Sequence, residues 1–241
     1  MPDQTVHSQF YSQAENYWVQ SRRPVVSLVF IAPLLALYEI GVLVLGVQNG
    51  ADAWMRQFLD LLGFSQHLLL PLLTVCILVA WHYLTREPWR FPPSVLSPMI
   101  VECLLLAICL RIVLVLQGTF LLPVSTAIEI SIGAKLKTGV GFLGAGIYEE
   151  LLFRLILLSA TVWIIRRWWT AQRPSMVLAV LVSSIVFAVA HYVGFAGETF
   201  YWFSFLFRIV AGVFFSILFI YRGFGIAAGT HAAYDILVGL F

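Results

Sequence analysis

Charge is what this chain has least of. Only 11% of its 241 residues are Asp, Glu, Lys or Arg, against 61% hydrophobic, and its mean hydropathy is +0.94. A soluble domain carries about 25% charged residues, so a soluble fold of this length has too little polar surface to cover itself. The apolar stretches are continuous and rich in Leu, Ile and Val rather than alternating, which excludes a membrane β-barrel. A net charge of +2 excludes a nucleic-acid-binding surface. Cysteine is scarce too. Cys76, Cys103 and Cys109 all fall in apolar runs with no CxxC or Cys/His zinc spacing, so they read as small buried hydrophobes. Two catalytic signatures are missing: no Gly-x-Ser-x-Gly and no HExxH occurs, so nucleophilic serine chemistry and a zincin helix have no support.

What remains is an all-α, polytopic membrane bundle. Seven spans are expected, at approximately 25–47, 67–85, 98–117, 138–165, 174–193, 201–221 and 224–241. Between the first two, 51–64 reads as an interfacial amphipathic helix. Trp54, Phe58, Leu61 and Leu62 lie on one face, with Asp52, Arg56 and Asp60 as its polar residues. The stretch 118–137 could dip into the membrane or lie along it. The polar start with Arg22 and Arg23 reads as a cytoplasmic anchor rather than a cleaved signal. With the N-terminus inside, Arg22, Arg23, Arg86, Arg90, Arg166, Arg167, Arg173 and Arg222 fall on the cytoplasmic side. The other side holds only Arg56, Lys135 and Lys137, and Arg111, Arg154 and Arg208 lie within spans. This asymmetry predicts an N-inside, C-outside multi-pass protein.

Ionisable residues deep in hydrocarbon are costly, about 2.5–3.5 kcal/mol for Arg, Lys or Asp on insertion scales. Glu102, Arg208 and His82 lie near span ends and read as structural. Glu39 and Arg111 lie deeper and read as structural partners, of each other or of a neighbour. A denser set stands apart. Glu149, Glu150 and Arg154 occur in "GIYEELLFR", His191 at the end of the fifth span, and His231 and Asp235 in the seventh. They are tolerable together if they converge on a water-accessible cavity within the bundle. Glu150 and Arg154 are four apart and can pair. Glu149 is turned away from Glu150 by about 100° on an α-helix and has no cation on its own face. His231 and Asp235 are four apart and can address one point. Phe187 precedes His191 by four and packs beside its ring. Counted along the spans, Glu149 and His231 come at similar depth and His191 nearer the rim. A carboxylate with two imidazoles in a dry site can activate water, hold it and stabilise an oxyanion.

The pattern Glu149-Glu150-x-x-x-Arg154, Phe187-x-x-x-His191 and His231-x-x-x-Asp235, with the glycine-rich approach "GFGIAAGTHAAYD", resembles the three-motif signature of the CPBP family. These are the CAAX proteases and bacteriocin-processing, Abi-domain proteins. The resemblance covers residues 131–241, which makes 1–130 an N-terminal membrane region and 131–241 the catalytic core. It implies an intramembrane glutamic endopeptidase that needs no cofactor. In that family the residues matching Glu149 and His191 activate water. Those matching His231 and Asp235 form the oxyanion hole, and those matching Glu150 and Arg154 support the site. Asp235 stands where the best-understood members have Asn. An ionised Asp cannot donate to an oxyanion, so Asp235 is protonated, or orients His231, or serves otherwise. The implied partners are the lipid bilayer and a membrane-protein or lipidated-peptide substrate, in a multi-pass protein of a prokaryotic cell membrane. Two other readings compete: a zinc protease with Glu149, His191 and His231 as ligands, and a non-catalytic membrane scaffold or transporter.

Overall fold

A computed structural model describes residues 17–64, 68–121, 132–168, 171–194 and 197–240. Among these the regular structure is entirely helical. α1 (Pro24–Leu45) starts on a proline in its first turn and ends at Gly46, which adopts the left-handed conformation and donates to Val42 O at 3.0 Å. α2 (Gly50–Leu61) is short, and α3 (Leu69–Thr85) follows. After a 3-10 turn at Pro93–Val95 comes α4 (Leu96–Leu121). α5 (Ile132–Gly144) passes without interruption into π-helical turns over Ala145–Glu149 and Leu151–Leu158, then resumes as α6 (Ser159–Trp168). α7 (Gln172–Ala190), α8 (Trp202–Arg222) and α9 (Phe224–Leu240) complete the chain.

Among the described residues four helices are long and apolar enough to cross a membrane: Pro24–Leu45, Pro93–Gly118, Arg173–Ala190 and Trp202–Arg222. Leu69–Thr85 and Phe224–Leu240 are shorter apolar helices. The remaining expected span, 138–165, lies inside the unbroken helical run that holds the two glutamates. Of the ambiguous stretch, 118–121 continue α4 and 132–137 open α5, while 122–131 lie outside the described residues.

The helices alternate in direction between two ends. At one end Arg23 pairs with Glu87 at 3.3 Å, Arg22 Nη2 donates to Ile220 O, and Arg222 makes a two-pronged pair with Glu102 at 2.5 and 2.6 Å. Arg222 also lies over the Trp18 ring at 3.6 Å, and the Tyr17 hydroxyl donates to Glu102. Burial and the adjoining Glu102 carboxylate push the Tyr17 phenol well above its ordinary pKa, so it stays a donor. Glu102 is therefore held in a clamp between Arg222 and Tyr17. At the other end Gln117 Nε2 donates to Phe203 O at 2.9 Å and Glu198 pairs with Arg208 at 2.7 Å.

α9 is the central helix and touches α1, α4, α5, α8 and the π-helical segment. Its small residues allow this: Phe224 to Ala232 are buried without a break. The closest approach is at Gly146, where a Cβ would lie 2.6 Å from Ala228 O and 2.7 Å from the Ala232 methyl. Only glycine lets the π-helical segment lie against α9 this closely.

α2 covers most of the stretch 51–64 expected as an interfacial helix. Its polar residues Asp52 and Arg56 face inward, while Phe58, Leu61 and Leu62 are exposed. Arg56 pairs with Asp52 at 2.5 Å and with Glu39 at 3.2 Å. Burial disfavours the Arg56 charge, but those carboxylates outweigh it and hold its pKa above the ordinary value. Glu39 thus pairs with Arg56, not Arg111. In an apolar medium the charged face seeks the bundle interior and the apolar face the lipid, the reverse of a helix on a soluble core.

Gly146→Ala is expected to cost about 1–3 kcal/mol by overpacking against α9. A lowered melting temperature in detergent is the check, and an unchanged one would contradict the close-approach argument.

Candidate active site

The π-helical segment sets the site's geometry. Bonding from i to i+5 widens the turn, and Glu149 and Glu150 still leave it in different directions. Glu150 and Arg154 are completely buried. Arg154 Nη1 is 3.0 Å from Glu150 Oε1, as their spacing anticipated. The guanidinium lies 4.2 Å over the Phe187 ring and 5.4 Å from that of Phe215, so two aromatic faces help hold a charge that has no access to water. Glu150 Oε1 is also 2.7 Å from His231 Nδ1. A carboxylate that already neutralises Arg154 is an acceptor, so Nδ1 carries the hydrogen and the other nitrogen, Nε2, turns to the cavity. The His231 ring is stacked on Phe215 at 4.4 Å and 15°, which fixes its plane.

Glu149 points the other way, into a cavity of about 710 Å³. Its Oε2 lies 3.8 Å from His191 Nε2 and 3.8 Å from His231 Nε2. That is beyond direct hydrogen-bonding distance, and Oε2 has no hydrogen-bond partner among the described residues. His191 sits just past the end of α7, which stops at Ala190. His191 Nδ1 is 2.8 Å from Phe187 O. A carbonyl only accepts, so Nδ1 is protonated and a neutral His191 presents a lone pair at Nε2. The Phe187 ring packs edge-on beside it at 4.8 Å. Asp235 Oδ2 is 3.6 Å from His231 Nε2. Asp235 therefore lies beside the nitrogen that faces the cavity, while the nitrogen that orients the ring belongs to Glu150. The structure thus brings Glu149, His191, His231 and Asp235 to one cavity and sets Glu150 and Arg154 directly behind it.

One contact was missed by motif reasoning. Asn49 Nδ2 donates to Glu149 Oε1 at 3.2 Å. Asn49 caps α2, its Oδ1 accepting from Ala51 N at 2.8 Å, which forces Nδ2 toward the glutamate. The Asn49 backbone N–H donates to the Tyr38 hydroxyl at 2.9 Å, and that hydroxyl donates to Asp52 at 2.7 Å. Tyr148, next to Glu149, donates to Glu39 at 2.5 Å. The capping pattern Asn49-Gly50-Ala51-Asp52 was visible in the sequence. Its reach to a residue 100 positions later was not.

The arrangement offers a carboxylate between two imidazole nitrogens, an aromatic-lined apolar wall and a fixed charge pair behind it. That is a set able to polarise water and take up its proton. Among the described residues no group of three or more His, Cys, Asp or Glu side chains has the spacing of a metal site.

No curated protein matches the chain, and neither does any solved structure. Residues 133–237 match a family model described as type II CAAX prenyl endopeptidase Rce1-like. The matched stretch contains Glu149, His191, His231 and Asp235 but not Asn49. The matched stretch is under half of the chain, and through it the chain is similar to the Rce1-like type II CAAX prenyl endopeptidases, a likeness that supports a membrane endopeptidase.

Proposed function

We propose that the protein hydrolyses a peptide bond of a membrane-associated or lipidated protein with a water activated by Glu149. The observation that carries this reading is the position of Glu149 Oε2, 3.8 Å from each of two imidazole Nε2 atoms, while Asn49 holds Oε1. A water lying between these atoms is within reach of Glu149 and of the His191 lone pair. Glu149 takes its proton as the oxygen bonds to the scissile carbonyl carbon. The carbonyl oxygen, now carrying the negative charge, is met by the Nε2–H of His231 in its imidazolium form, whose Nδ1–H stays on Glu150, and by the protonated carboxyl of Asp235. The proton held by Glu149 then passes to the amide nitrogen, the C–N bond breaks, and the acid and amine products leave. Glu150, Arg154 and Asn49 touch none of the reacting atoms. They position His231 and Glu149.

The family model is described as type II CAAX prenyl endopeptidase Rce1-like. For this chain the substrate class follows from the bilayer setting and from a cavity walled by Phe153, Phe187, Phe207 and Phe215. The same reading puts the N-terminus in the cytoplasm of a prokaryotic cell, in keeping with the bacteriocin-processing proteins that the motifs resemble.

Glu149→Gln is expected to lower kcat by about 10²–10⁴-fold with unchanged melting temperature. Native activity is expected to persist in EDTA. Undiminished cleavage by the Gln variant would sink the general-base role and leave the scaffold or transporter reading. Loss in EDTA restored by zinc would establish the zinc reading with Glu149, His191 and His231 as ligands.

Asn49→Asp preserves the helix cap but sets a second carboxylate against Glu149. Its kcat is expected to fall on the order of a hundredfold through misplacement of the base, with KM and melting temperature little changed. Native kcat in this variant would remove Asn49 from the machinery.

Asp235→Asn places an N–H donor where the acid must otherwise be protonated, so activity equal to or above native is expected. Asp235→Ala should lose about 10²–10³-fold. Equal, severe losses in both variants would show that the carboxyl group, not a hydrogen-bond donor, is required.

A further inference from the structure

We infer that the catalytic cavity opens only at the end of the bundle opposite its arginine-rich end. Its substrates are then polypeptides on the extracytoplasmic side: translocated chains, or the outer tails and loops of membrane proteins. This rests on the protease reading for the word substrate, but not for the direction of opening.

The mouth is given by its lining. Exposed Gln48, Lys137 and Glu198 border the cavity, and Glu198 is joined there by Arg208. Gln48 lies in the turn after α1, Lys137 near the start of α5, and Glu198 in the connection between α7 and α8. All three belong to the same end of the bundle. Among the described residues no lining residue comes from the other end, where residues 17–23, 86–95 and 222–223 meet. Between that end and Glu149 the described residues form two closed layers. The first is the buried Glu150–Arg154–His231 chain with Phe187 and Phe215. The second is the Glu102–Arg222 clamp, capped by Tyr17 and Trp18. A water or peptide reaching Glu149 from that end would have to displace buried ion pairs, whose breaking is strongly destabilising.

Charge gives the direction. All 14 Lys and Arg lie among the described residues. The sealed end or its adjoining loops carry Arg22, Arg23, Arg86, Arg90, Arg166, Arg167, Arg173 and Arg222. The mouth end carries Lys135, Lys137 and Arg208, together with Arg56, which is turned inward onto Asp52 and Glu39. Arg111 and Arg154 lie within the bundle. Cytoplasmic loops hold the excess of Lys and Arg, so the sealed end is cytoplasmic and the mouth faces outward. A prenylated C-terminus presented from the cytoplasm would then meet the closed side. The family's printed substrate class and this chain's accessible side separate on that point.

The test needs no substrate and no activity. The native cysteines are replaced by alanine, and single cysteines are introduced by Gln48→Cys and Glu198→Cys at the mouth and by Arg90→Cys and Arg167→Cys at the sealed end. Intact cells expressing each variant are treated with a membrane-impermeant maleimide, and the mass shift of one adduct is read on the purified protein. The expected pattern is adducts at 48 and 198 in intact cells, and at 90 and 167 only after the membrane is opened. The reverse pattern overturns the inference, as does labelling of all four sites in intact cells. Gln48 makes no ion pair, so its variant keeps the test decisive if Glu198→Cys, which breaks the pair with Arg208, fails to fold. Repeating the measurement in a Glu149→Gln background separates the outcomes. An unchanged labelling pattern there shows that direction stands or falls independently of the proteolytic mechanism.

Discussion

Arg154 has no contact with water, and the architecture around the cavity follows from that. An unpaired charge in this setting costs several kcal/mol, so Glu150 must stand one turn away on the same segment, at 3.0 Å. The same oxygen, Oε1, that meets Arg154 also lies within reach of α9 and takes His231 Nδ1. The imidazole is thereby held with its second nitrogen toward the cavity. The rings of Phe187 and Phe215 close over the same group. Phe187 also presents the carbonyl that orients His191. A single compensated charge thus ties α7, α8, α9 and the π-helical segment to one point and sets the facing of both histidines.

The second ion-pair system does for α2 what the first does for the central helices. Glu39, Asp52 and Arg56, with the hydroxyls of Tyr38 and Tyr148, pull a short helix inward by its polar face. Asn49 is carried with it to Glu149. The carboxylate is left asymmetric, one oxygen held and the other free between two imidazoles. Stability and chemistry share residues here. Tyr148 and Glu149 are neighbours in sequence, one anchoring the strap and the other facing the cavity.

Much of the site was legible because it rests on local spacing and on cost. The pairing of Glu150 with Arg154 and the packing of Phe187 on His191 are one-turn relations. The rarity of ionisable groups in this chain drew notice to six residues that the structure gathers at one cavity and directly behind it. Other features were hidden for definite reasons. The amphipathicity of α2 is the same whichever face is buried, so its pattern could not say that the charges point inward. Glu39 had two distant arginines as possible partners, and spacing does not choose between partners on different helices. The π-helical widening has no simple periodic signature.

The sequence by itself determined the solvent, the helical class and the chemistry on offer. These follow from composition, from the length of the apolar runs and from the identity of a few costly side chains. Tertiary structure decided which of those side chains meet. It brought Asn49 across 100 residues to Glu149 and turned the two imidazole nitrogens to one carboxylate oxygen. It also closed one end of the bundle while leaving the other open. Such relations depend on how helices approach, and the approach depends on places like Gly146, where the absence of a side chain lets two backbones touch. One residue type permits that contact, but nothing local names the helix that will make it.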